Sequence, residues 1–142
     1  MHKQVVVNGL AGVAANVVGY YGEFLQLQTI ERKIPYEWYM GYMSDLFLPA
    51  GMVSLSAAVG AAMISYGKKY KMENREITEK DLNTFDKIIL GMTGLVVAGA
   101  TSVEYLDSIA GLNFDWKDAV CYAAGSSVAY GIYKFSRIFE RD

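Results

Sequence analysis

With 142 residues, 53% hydrophobic and 20% charged, the chain is long enough for one domain; its formal net charge of −2 carries no message about nucleic acid, and no nucleic-acid partner is expected. One cysteine, Cys121, rules out an intramolecular disulfide and reads as a small buried apolar residue rather than a reactive thiol. A mean hydropathy of +0.17 would fit a soluble helical domain, but the distribution of charges argues for a bilayer.

Four stretches carry no charge at all: Gln4–Gly22, Leu46–Gly67, Ile88–Val103 and Ala119–Tyr133. About 20 mostly apolar residues cross a membrane as a helix. A surface helix of a soluble protein keeps a polar face, which the second and third runs lack. The expectation is an all-α, four-helix transmembrane bundle forming a single domain over 1–142, with spans at about 5–27, 39–66, 82–106 and 114–135.

The first span follows Met1-His2-Lys3-Gln4 and has no clear cleavage site behind it, so it reads as a retained helix that also directs insertion. Pro35 breaks the chain in the connection that follows, and Pro49 sits about two turns into the second span, where membrane helices tolerate a kink. The connection 67–83 is basic and reads as a cytoplasmic loop, within which Thr78-Glu79-Lys80-Asp81 has capping-box spacing and leads into the third span. Lys3, Lys68, Lys69, Lys71, Arg75, Lys80, Lys87, Lys134, Arg137 and Arg141 flank one side of the four spans; only Arg32, Lys33 and Lys117 flank the other. The positive-inside rule then places both termini in the cytoplasm, in what reads as a prokaryotic cytoplasmic membrane. Tyr36, Trp38, Tyr39, Tyr42 and Trp116 fall at the outer interface, and Tyr66 and Tyr70 at the inner one.

Small residues recur three or four apart at Gly9/Gly12, Ala15/Gly19, Ala58/Ala62, Gly91/Gly94/Ala98 and Ala123/Ser127/Gly131. Such spacing lets helices approach closely in lipid, here within the chain first and between copies second. The halves also read as a parallel two-helix repeat. Glu23-Phe24-Leu25-Gln26 corresponds to Glu104-Tyr105-Leu106-Asp107, and Tyr36-Glu37-Trp38 to Phe114-Asp115-Trp116.

Eight acids fall on the outer side, where only three basic residues accompany them. Glu37, Asp107 and Asp115 read as simply solvated. Glu23, Asp45, Glu104 and Asp118 each have small or polar residues a turn away on the same helix face, and on helix one Asn8, Gly12, Asn16, Gly19, Glu23 and Gln26 fall within an arc of about 80°. Acids in membrane helices are costly and turn toward protein or water. The expectation is a pocket opening outward and lined by Glu23, Gln26, Asp45, Glu104, Asp118 and Tyr122, in which Glu23 and Glu104 act as the principal acceptors. No cofactor motif, phosphate loop or Ser/His/Asp set is present; His2 is alone, and metal binding is left open.

Glu104, Asp115-Trp116, Asp118 and Gly125 together resemble the VanZ-like membrane proteins, whose pattern is similar to E-x-x-Q, a short basic loop and D-W-x-D-x-x-x-N-x-x-G. Asp107 stands where the family has glutamine and Tyr122 where it has asparagine, and the second loop lacks the family's arginine. The first half keeps Glu23, Gln26 and Arg32 but lacks the later aspartate. The resemblance implies a small multi-span protein associated with teicoplanin tolerance and the cell envelope. The function expected is recognition of a polar or cationic group, such as a lipid headgroup, by the acidic pocket. The alternatives are a cation- or proton-coupled transporter, or a structural subunit with a homo-oligomeric or membrane-protein partner. An enzyme is the least favoured reading, because no positioned nucleophile is present.

Overall fold

The computed structural model describes residues 2–31, 35, 37–70, 78–111 and 115–138. The described residues form four helices and no strand: α1 (His2–Ile30), α2 (Trp38–Tyr70), α3 (Glu79–Ile109) and α4 (Trp116–Ile138). Three of them, α1, α2 and α3, are long and apolar enough to cross a membrane, which marks the chain as an integral membrane protein. Large apolar side chains line their outer surfaces, among them Leu10, Val17, Met63, Leu95 and Val103. A water-soluble fold would bury most of these; lipid solvates them.

The helices run past their expected ends, except that α4 begins at Trp116 and not at about 114. The basic loop expected over 67–83 is shorter, because α2 continues to Tyr70 and α3 begins at Glu79. The reason is local. Thr78 Oγ1 accepts a hydrogen bond from the Asp81 amide at 3.3 Å while Asp81 Oδ2 accepts from the Thr78 amide at 3.0 Å, a reciprocal cap that nucleates the helix. At the other end of α3, Gly111 takes up φ +96°, a left-handed conformation that suits glycine, and its amide donates to the Ser108 carbonyl at 3.2 Å. Arg32, Lys33, Tyr36, Lys71, Arg75, Phe114 and Arg141, used above for the topology, the repeat and the interfaces, lie outside the described residues.

The helices pack as two antiparallel hairpins with α2 and α4 in contact between them, and α1 and α3 share no contact among the described residues. Glycine decides the tight seam. A Cβ on Gly12 would fall 2.9 Å from the Leu55 amide nitrogen, and one on Gly19 would fall 3.1 Å from that of Leu48, so α1 lies directly on the α2 backbone. The glycines of α3 behave otherwise. Gly91, Gly94 and Gly99 face open space, as does Gly131 on α4, so the expected close packing within the chain holds for α1 and fails for Gly91, Gly94 and Gly131.

Ala57 and Ala61 of α2, Phe85 and Ile89 of α3 and Tyr133 of α4 form the core, with the Phe85 and Tyr133 rings edge to face at 5.7 Å. Near it the start of α1 meets the end of α4, where Asn8 Nδ2 donates to Ser136 Oγ at 3.1 Å. Both ends of the described chain therefore lie at one pole of the structure. At that pole Asp86 accepts from Tyr133 at 2.5 Å and Lys134 at 2.7 Å, and it also pairs with the buried Arg137. This ionic clasp between α3 and α4 was not foreseen from the sequence, which showed only scattered charges at the ends of apolar runs. Arg137 stands four residues after Tyr133 on one helix face, and that spacing was the available signal.

Candidate functional site

The site lies at the opposite pole, where α1 and α3 end and α2 and α4 begin. Asp115 starts α4 by accepting a hydrogen bond from the Lys117 amide at 2.9 Å. Asp118 and Tyr122 then fall one turn apart on the same face, with Gly125 on the next turn. A Cβ on Gly125 would strike the Leu46 carbonyl oxygen, so only hydrogen lets α4 lie against α2 here. That crossing sets the α4 face beside Asp45, one residue before Leu46. The Asp45 carboxyl consequently lies near both Tyr122 and Asp118.

The third helix joins through Glu104, whose Oε1 accepts from the Tyr122 hydroxyl at 2.7 Å. Pro49 adds a backbone feature: lacking an N–H, it leaves the Asp45 carbonyl without its helical donor. From α1, Gln26 Nε2 donates to the Met40 carbonyl at 2.7 Å and sits 3.5 Å from Ser44 Oγ, tying the end of α1 to the start of α2.

These residues border a hollow of about 470 Å³, lined by Gln26, Thr29, Ile30, Tyr42, Ser44, Asp45, Glu104, Asp115 and Asp118. Four carboxylates face it, and among the described residues its lining contains no basic side chain. A second hollow of about 530 Å³ adjoins it and shares Ser44 and Asp45. Its walls are apolar, with Leu48, Pro49 and Met52 on α2 facing Met92, Leu95, Val96, Gly99, Ala100 and Val103 on α3. Among the described residues, no group of three His, Cys, Asp or Glu side chains is close enough to enclose a metal ion.

Of the residues singled out in the sequence, Gln26, Asp45, Glu104 and Asp118 line the acidic hollow. Glu23 and Tyr122 line the apolar groove instead, although the Tyr122 hydroxyl reaches back to Glu104. Glu23, expected to pair with Glu104 as an acceptor, is exposed. At this level the α1 face against α2 runs through Gly19, Gly22 and Gln26; Glu23 lies about 40° beyond Gly19, at the margin of that face, where it borders the groove. Asp115, expected to be merely solvated, lines the hollow and caps α4; its place three residues before Asp118 was the available clue. Ser44, Thr29 and Tyr42 were passed over because no charge marks them. Cys121, expected to be buried, is half-buried and free.

Comparison of the chain with protein-family models, with curated proteins and with solved structures finds no match.

Proposed function

We propose that the protein is a four-span, VanZ-like membrane protein whose acidic hollow opens on the external face and binds a cationic group. The observation that carries this reading is the convergence of Asp45, Glu104 and Asp118, from three different helices, on one hollow whose lining, among the described residues, contains no basic side chain. Carboxylates held this close repel one another, and a bound cation or a shared proton relieves the repulsion. The acids are spread around a hollow much larger than a metal ion, which favours a bulkier cation with hydrogen-bond donors, such as an ammonium group.

Support for the fourth span comes from the length of α4. Its 23 residues extend about 34 Å, enough for the ~30 Å hydrocarbon core. Its outer face also carries Val120, Val128, Phe135 and Ile138. The pole that holds both ends of the described chain also holds Lys3, Lys80, Lys87, Lys134 and Arg137, which supports N-in/C-in insertion in a cytoplasmic membrane of prokaryotic type, with the acidic hollow outside. The VanZ-like reading draws support from the positions that carry the resemblance. Glu104, Asp115 and Asp118 line the hollow, and Gly125 sets the crossing beside it.

Calorimetric titration of butylammonium into the purified protein in maltoside micelles tests the cation site. Binding is expected for the wild type and about tenfold weaker binding for Asp45→Asn/Asp118→Asn, a loss of ~1.4 kcal/mol. Equal binding by the two proteins defeats the reading. Coupled transport, the alternative, requires a path to the opposite pole, where Ala57, Ala61, Phe85, Ile89 and Tyr133 pack together as the core. Butylammonium flux into proteoliposomes would favour it over binding alone.

A further inference from the structure

We infer that the groove between α2 and α3 holds the hydrocarbon chain of a membrane amphiphile whose ammonium headgroup lies in the acidic hollow. This rests on the cation-binding reading above and names the class of ligand.

Three observations point to such an occupant. First, the two hollows are continuous in their walls, since Ser44 and Asp45 belong to both. A ligand filling both is polar at one end and apolar along the other, which is the chemistry of a lipid. Second, the dimensions fit one leaflet. The α3 wall runs from Val103 beside Glu104 down to Met92, about 16 Å along the helix, close to half of the ~30 Å hydrocarbon core. The opposite wall falls from Asp45 to Met52 over a shorter part of α2. Third, the groove is an opening and not a packed seam. A Cβ on Gly99 would meet nothing within 4 Å, and Ala100 beside it is also small, so room is left where α1 and α2 interlock at the equivalent level.

Charge selects the headgroup. The acidic hollow presents four carboxylates, and the groove adds Glu23 at its margin. A phosphate or sulfate placed there would meet like charge with no basic residue among the described lining to offset it, whereas an ammonium group meets acceptors. The α2–α3 groove opens beside exposed apolar side chains such as Leu95 and Val103, so a chain can enter sideways from the bilayer without crossing water. The occupant is therefore an amphiphile of the leaflet at this pole, with an ammonium head and no net negative charge.

The test uses tetradecylammonium and tetradecyl sulfate, each carrying a photoreactive diazirine in the chain, with the full-length protein in maltoside micelles. Peptide mapping is expected to place the ammonium adducts on Leu48–Met52 and Met92–Val103, at about ten times the yield of the sulfate, a preference of ~1.4 kcal/mol. Asp45→Asn/Asp118→Asn should abolish that preference. Gly99→Leu should fill the groove and reduce labelling while leaving butylammonium binding intact. Equal labelling by the two probes, or full labelling of Gly99→Leu, overturns the lipid inference. If butylammonium still binds in that case, the cation site stands without it; if it does not, both fall.

Discussion

Gly125→Ala offers a sharp test of how the site is assembled, because a matched control lies on the same helix. The added methyl would meet the Leu46 carbonyl oxygen and lie 2.9 Å from its carbon and 3.4 Å from its Cα. These are backbone atoms of another helix, which cannot rotate away as a flexible side chain would. Overpacking usually costs about 1–3 kcal/mol, and a rigid neighbour puts this case at the upper end. At Gly131 a Cβ meets nothing within 4 Å, so Gly131→Ala should gain about 1 kcal/mol from helix propensity alone. Gly125→Ala makes the same propensity gain, so the two variants should differ by the overpacking cost alone, about 3 kcal/mol, or about two decades in the unfolding constant. Unfolding of the purified protein in mixed micelles, driven by a rising fraction of dodecyl sulfate and followed by circular dichroism, reads this directly. Gly125→Ala should also weaken butylammonium binding, since the same crossing sets Asp118 and Tyr122 beside Asp45. Coincident transitions for Gly125→Ala and Gly131→Ala would refute the α2–α4 crossing as described.

Three further predictions concern other parts of the molecule. Asp86→Asn strands the buried Arg137 charge and should cost about 3 kcal/mol in the same assay, whereas Asp86→Asn/Arg137→Met should recover most of it; equal losses for the two would argue against the clasp. Asn8→Ala removes the donor to Ser136 and should cost about 0.6 kcal/mol, a typical value for an interhelical hydrogen bond in a bilayer; a change several times larger would mean that Asn8 does more than join α1 to α4. In a Cys121→Ser background, a cysteine at 115 should react with an impermeant maleimide in intact cells and one at 79 only after the cells are lysed; reversed labelling would overturn the proposed orientation.

Much of the site was readable because its members are acids in or beside apolar runs, where a charge is conspicuous. Asp45, Glu104 and Asp118 stood out for that reason, and all three line the hollow. Glu23 stood out equally but borders the groove, at the margin of the α1 face that Gly19, Gly22 and Gln26 lay on α2. Asp115 looked solvated because it falls at the headgroup level; here it caps α4 and also faces the hollow. Glycine spacing was equally ambiguous. The pattern on α1 marks a packed seam, while similar spacing on α3 borders open space.

Helix type and approximate extent, the apolar character that suits α1, α2 and α3 to a bilayer, and the cap at Thr78 all follow from the sequence alone. Each depends on hydrogen bonds within four residues or on the transfer of individual side chains into hydrocarbon, and both are properties of local sequence. Only the tertiary structure decided which carboxylates share a hollow, which glycines touch another backbone and where a groove stays open. Those outcomes depend on the rotation of each helix about its own axis and on the point where two helices cross, which interlocking side chains determine jointly, and which no single helix carries in its own residues.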